Sequence, residues 1–322
     1  MDEFTLINRY FARQAPHRRD VVVGIGDDAA LCQIPAGMSL VATTDMLVEA
    51  VHFPAATEAA AVGHKALAVN LSDLAAMGAD PAWFTLALAV PDADEAWLEG
   101  FSRGLFALAD RCDCELIGGD TVRGPRVVAV QAMGLVPEGQ GLRRAGASVG
   151  DRIYVSGTLG DAALGLAVAQ GEIEAGVPQA QYLRGRLDRP EPRLELGRAL
   201  RGLASAAIDV SDGLVADLGH LLSASGVGAR VRLQQLPLSS AYRELHASVG
   251  WDAALSGGDD YELCFSVPED RVAQLENVAA DLPCAIHCIG EIVPRPGMCI
   301  EDVDGREYQP ATSGHDHFRN DT

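Results

Sequence analysis

Apolar residues along this chain alternate in short runs and then recur at helical spacing, and the order of the two patterns predicts mixed strand and helix. Residues 21–23 form a β-branched run ending in Gly24-Ile25-Gly26, and residues 40–44 a second strand that stops at Asp45. An Ala/Leu-rich helix is expected over 58–77, with Gly78 as its C-cap and Pro81 beyond. Residues 83–90 read as a strand, and 94–111 as an amphipathic helix with Asp94 as N-cap. Leu116-Ile117 leads into Gly118-Gly119-Asp120, followed by a strand over 127–136. The polar, glycine-containing stretch 137–151 divides the chain. Beyond it come a strand at 152–155, the turn Gly157-Thr158-Leu159-Gly160 and a helix. A strand at 206–210, a helix at 212–224 ended by Gly226, and strands at 229–233 and 263–267 follow. Some strands run directly together and others are separated by helices, so the expected fold is α+β in two domains, 1–140 and 148–322.

Composition narrows the class. The 322 residues are 48% hydrophobic, enough for two cores. No apolar stretch approaches the roughly 18–20 residues needed to cross a bilayer. The first residues carry acids and lack an apolar signal core, so a cytoplasmic location is expected. Seven cysteines, an odd number with no CxxC pair, argue against a disulfide framework or a thiolate zinc site. The net charge of -20 disfavours nucleic acid and anionic membranes as partners. Lys65 is the only lysine, and no Gly-Lys-Ser/Thr phosphate loop exists. If phosphates bind, divalent cations must do most of the neutralising.

Acids recur where strands and turns are expected to end: Asp27 and Asp28, Asp45, Asp120, Asp209 and Asp212 around Ser211, and Asp259 and Asp260 after Gly257-Gly258. Several such turns on one chain suggest loops converging on one site. Clustered carboxylates repel unless a cation lies among them, and magnesium favours scattered carboxylates plus substrate phosphates. Asp73 lies near the C-terminal end of an apolar helix, where the helix dipole disfavours an anion, so it needs an arginine or a metal. Taken singly, Asp27 and Asp28 also read as turn formers and Asp212 as a helix cap. Asp217 and Asp110 read as ordinary helix-face acids. Arg143 and Arg144 could clamp a polyphosphate or be linker charges. The Gly157–Gly160 turn could offer amides to an anion or be a plain turn.

Seven segments together resemble the thiamine-monophosphate kinase family. They are Gly24-Ile25-Gly26-Asp27-Asp28, Thr43-Thr44-Asp45, Val51-His52-Phe53, Lys65 through Ala79 with Asn70-Leu71-Ser72-Asp73, Gly118-Gly119-Asp120-Thr121, Asp209-Val210-Ser211-Asp212-Gly213 and Gly257-Gly258-Asp259-Asp260-Tyr261. The resemblance runs in order along the whole chain to Gly314-His315-Asp316-His317-Phe318. It implies the two-domain fold of the aminoimidazole ribonucleotide synthetase superfamily, with dimerisation through N-terminal sheets. It implies ATP as co-substrate, thiamine monophosphate as acceptor and several magnesium ions bound by Asp28, Thr43, Thr44, Asp45, Asp73, Asp120, Asp209 and Asp212. Of these, Asp120, Asp73 and Asp212 would be central to catalysis. Gly119, Asp120, Arg144 and Ser211 would contact ATP, and His52, Asp259, His315 and Phe318 the acceptor. Two positions depart from the family pattern: Asp259 stands where a glutamate is usual, and His315 where an aromatic is usual. Rival readings are another ATP-using member of the superfamily, or a non-catalytic protein that binds nucleotides or thiamine phosphates.

Overall fold

The computed structural model describes residues 2–12, 18–312 and 314. It divides the chain into two units, one of residues 1–74 and 79–139, the other of residues 75–78 and 140–322. His315 and Phe318 lie outside the described residues.

The first unit holds α1 (Glu3–Tyr10), β1 (Val21–Val23), β2 (Leu31–Cys32), β3 (Met38–Val48), α2 (Ala59–Ala76, the last two residues in the second unit), β4 (Asp80–Val90), α3 (Glu95–Arg111), β5 (Glu115–Arg123) and β6 (Val127–Pro137). Four strands form a sheet in the order β3-β6-β4-β5, antiparallel except for the β4–β5 pair. Strand β3 extends past the stop expected at Asp45. The Asp45 N–H is received by the Asn70 side chain of α2 at 3.1 Å, so a polar residue continues the strand without leaving its amide unpaired. The segment Gly118-Gly119-Asp120, expected as a turn, runs inside β5. A Cβ at Gly119 would stand 1.9 Å from the Leu86 carbonyl oxygen of β4, so only glycine fits there.

Side chains alternate across this sheet. Leu86, Leu88, Val128 and Val130 are buried on the face that α2 covers, where Leu67, Leu71 and Leu74 have no exposed surface. Helix α2 is buried nearly all round, and α3 turns Leu98, Phe101, Leu105 and Leu108 inward. The opposite sheet face leaves Leu40, Met46 and Val122 exposed.

The second unit holds β7 (Arg152–Ser156), α4 (Asp161–Gln170), α5 (Val177–Asp188), α6 (Leu194–Ala199), β8 (Ala206–Val210), α7 (Leu214–Ser225), β9 (Gly228–Arg232), α8 (Ser240–Val249), α9 (Asp252–Ser256), β10 (Glu262–Val267), α10 (Val272–Ala279), β11 (Ile286–Val293) and β12 (Gly297–Glu301). Its sheet has the order β12-β9-β11-β7-β10-β8, and the β12–β9 pair is parallel. Val155, Ile208, Val210, Leu218, Tyr242, Leu255, Cys264 and Ile289 belong to one buried core. All seven cysteines are free thiols. Among the described residues, no helix is long and apolar enough to cross a membrane.

Candidate active site

In the first unit, α2 delivers Asp73 to the inner face of the sheet. The Thr43 hydroxyl of β3 donates to the Asp73 carboxylate. Asp45 lies on the same face, two residues along the strand. Thr44 points to the opposite, open face. Asp28 is exposed in the turn after β1, and its N–H donates to the Asp27 carboxylate at 2.8 Å.

His52 follows β3 in a short loop. The Val48 N–H donates to its Nδ1 at 3.0 Å. In the neutral ring the proton is therefore on Nε2, which becomes the donor. The chain's single lysine serves the same loop: Lys65 is 2% exposed, and its Nζ reaches the His52 carbonyl oxygen at 3.3 Å.

Asp120 is held on the other edge of the same sheet. It pairs with Ala87 of β4, which pairs with Ala129 of β6, which pairs with Met46 of β3. Paired residues share a face, so Asp120 points outward with Met46, away from the side carrying Thr43, Asp45 and Asp73. Three strand spacings, about 14 Å, separate the two edges. The Thr43–Asp73–Asp45 group and Asp120 are thus not brought together within one copy of this unit.

In the second unit, two turns interlock. Asp209 is the buried penultimate residue of β8, opposite Leu263 of β10. Ser211, Asp212 and Gly213 follow before α7. The Ser211 carbonyl accepts the Asp259 N–H at 2.8 Å, and the Val210 carbonyl accepts that of Tyr261 at 2.8 Å. This brings Ser211 and Asp259 together. Arg144 is elsewhere: its carbonyl accepts from Ser225, and the neighbouring Arg143 carbonyl accepts from Ala207, at the opposite end of β8 from Ser211.

One acid was misread from sequence, and the burial of two others was not anticipated. Asp217 is not a surface helix acid but is 4% exposed, and one carboxylate oxygen accepts the N–H groups of Ser211, Asp212 and Gly213 at 3.0, 3.0 and 3.1 Å. Burial pushes its pKa up to about 7, against the pull of these amides. Asp260, rather than Asp259, is the buried member of its pair, and it accepts the Gly160 N–H at 2.6 Å. Within the Gly157–Gly160 turn, the Gly160 amide thus meets a carboxylate of the chain itself, while those of Gly157 and Leu159 donate to the Ala285 and Pro237 carbonyls at 2.9 and 3.0 Å. Glu262 has no exposed surface and lies among Arg186, Arg193 and Ser156, with Arg186 at 2.8 Å and Ser156 at 2.6 Å. Burial opposes its charge, but the Arg193 and Arg186 guanidiniums hold it below its ordinary value. An acid in the first turn of a helix, as at Asp217, is a recognisable acceptor for preceding amides. No local signal marks Asp260 or Glu262, whose partners lie far along the chain.

Among the described residues, no group of three or more His, Cys, Asp and Glu side chains stands together as a metal site. The oxygen donors present suit a hard cation that takes one or two carboxylates from protein and the rest from phosphates and water.

Comparison with known proteins defines the class first. Residues 26–136 match the N-terminal domain of AIR synthase related proteins, and residues 148–302 the C-terminal domain. A thiamine-monophosphate kinase of Escherichia coli (strain K12) is 50% identical over 324 residues, 98% of each chain. The solved thiamine-monophosphate kinase of Stenotrophomonas maltophilia K279a is 51% identical, with TM-score 0.84, over 91% of this chain and 93% of that one. AaThiL complexed with AMPPCP and TMP is 33% identical, with TM-score 0.77, over 90% of this chain and 91% of that one. This chain belongs to the thiamine-monophosphate kinase family.

Proposed function

We propose that this chain transfers the γ-phosphoryl group of ATP to the phosphate of thiamine monophosphate, giving thiamine diphosphate and ADP. The observation that carries this reading is the 50% identity to a thiamine-monophosphate kinase across nearly the whole of both chains. A 33% identical relative solved with AMPPCP and TMP supports the same pair of substrates.

An acceptor phosphate oxygen attacks the γ-phosphorus as the bond to the β–γ bridging oxygen breaks. A monoester phosphate is mostly dianionic near neutral pH, its second pKa being about 6, so no strong general base is required. The chain's work is positioning and charge neutralisation. His52 offers its Nε2–H to the acceptor. Ser211 would contact ATP, as would Gly119, Asp120 and Arg144. Asp259, whose N–H donates to the Ser211 carbonyl, would contact the acceptor beside the nucleotide turn.

Asp28, Thr43, Thr44, Asp45, Asp73, Asp120, Asp209 and Asp212 would hold magnesium ions. When bound, these ions would neutralise the phosphate oxygens of two anionic substrates. The chain would act as a homodimer in the cytoplasm. Two features support the dimer: the open sheet face with exposed Leu40, Met46 and Val122, and the placing of Asp45 and Asp120 on opposite edges and faces. Two copies joined through these sheets could bring the β3 edge of one to the β5 edge of the other.

The test is an acceptor panel with ATP and magnesium. ADP release stimulated by thiamine monophosphate, and not by free thiamine or aminoimidazole precursors, supports this reading. ADP release indifferent to acceptor rejects it.

A further inference from the structure

We infer that Asp217 is the positioning residue of the nucleotide turn, fixing Ser211, Asp212 and Gly213 by their backbones; the inference rests on the proposed role of Ser211 at ATP. One oxygen of a buried carboxylate receives three successive N–H groups, at 3.0, 3.0 and 3.1 Å. Three amides converging on one point leave the turn little freedom, because each would lose its partner if the peptide planes rotated. Asp217 is itself tied to the turn, since its own N–H donates to the Gly213 carbonyl at 3.0 Å.

The opposite side of the turn is closed by backbone. Gly213 has φ 114, and a Cβ there would stand 2.7 Å from the Ser256 carbonyl carbon. The Ser211 carbonyl takes the Asp259 N–H, and a Cβ on Gly258 would stand 2.7 Å from that same oxygen. The turn is therefore wedged between the Asp217 carboxylate and the segment 256–259. Asp217 itself would touch no substrate. Its effect passes through the direction of the Ser211 side chain and the placement of the Asp212 carboxylate.

Two readouts test this on the full-length protein. The first is amide hydrogen exchange of the peptide covering 211–213 in wild type, Asp217→Ala and Asp217→Asn. The second is calorimetric binding of AMPPCP with magnesium to the same three proteins. For Asp217→Ala, exchange at 211–213 should speed up at least about tenfold, with exchange in β7 and β10 unchanged. AMPPCP affinity should fall at least about tenfold, and the KM for thiamine monophosphate should stay near that of wild type. Asp217→Asn keeps an oxygen acceptor at the same place and should stay within about fivefold of wild type in both readouts. If Asp217→Ala does not fold, Asp217→Ser is judged by the same values. Unchanged exchange at 211–213, unchanged AMPPCP affinity, or an Asn variant as impaired as Ala overturns the inference. A wild-type protein that binds no AMPPCP overturns the reading of the site, and the inference falls with it; the exchange data then still report how the turn is held.

Discussion

Asp45→Asn and Asp120→Asn should each abolish turnover, yet a dimer containing one of each should recover it. The two residues lie on opposite edges of the β3-β6-β4-β5 sheet and on opposite faces. Their separation along the sheet is about 14 Å. Two aspartates sharing one magnesium, at about 2.1 Å from each oxygen, keep their Cα atoms within about 11 Å. In the proposed dimer, a magnesium ion shared by the two would take Asp45 from one copy and Asp120 from the other. In a mixed dimer, one of the two composite sites receives both altered residues and the other receives both native ones. Co-expression with two affinity tags and tandem purification isolates that dimer. Its turnover should be about half that of wild type, while free reassortment of the two variants should give about one quarter. A tagged heterodimer as inactive as its parents would refute the argument, since sites built within one copy would leave each with one missing ligand.

Other outcomes follow from the same residues. Asp259→Ala should raise the KM for thiamine monophosphate severalfold while leaving AMPPCP affinity near that of wild type in calorimetry; an unchanged KM removes Asp259 from the acceptor site. Lys65→Met should raise the same KM by releasing the His52 loop, whose carbonyl it holds at 3.3 Å, and steady-state kinetics with varied acceptor would reveal an unaffected loop. Glu262→Gln removes the buried counter-charge that Arg193 and Arg186 share, leaving Arg186 the Asp161 carboxylate at 3.9 Å, a loss of about 3 kcal/mol, or several °C in melting temperature. Because the Glu262 carboxyl is held below its ordinary value of 4.5, its contribution is complete above that pH and disappears as pH falls through the folded value. The melting-temperature gap between wild type and Glu262→Gln should therefore be constant from neutral pH to about 5 and narrow below. A gap that widens with acidity contradicts this sign.

Elements with strong local signals were legible before any coordinates. Helix α2 announced itself by its Ala/Leu content, and α3 by its apolar spacing and the Asp94 cap, which accepts from Ala96 and Trp97. Strand β3 was read too short because its continuation past Asp45 is set by pairing with β6, as far as Val48 opposite Val127, and the Asp45 amide is met by Asn70, twenty-five residues later. The Gly-Gly-Asp segment in β5 looked like a turn because glycine signals one locally, whereas here it lets β5 approach the Leu86 carbonyl. Motifs name the candidate residues by type but do not show their distribution. The split of Asp45 and Asp120 between two sheet edges is a property of strand order, which no single segment encodes. Asp217 was legible in principle, as an acid in the first turn of α7. Asp260 and Glu262 were not, because Gly160, Arg186 and Arg193 meet them only after the fold brings distant segments together.

Phosphate as the acceptor group is what sets the proposed reaction apart from phosphorylation of a hydroxyl. The purified protein should be mixed with magnesium, ATP and thiamine monophosphate, and the products separated by chromatography, with free thiamine in a parallel reaction. Thiamine diphosphate and ADP should appear together in equal amounts from the monophosphate, and neither thiamine phosphate should form from free thiamine. A reaction that releases ADP without thiamine diphosphate, or that phosphorylates free thiamine equally well, would contradict it.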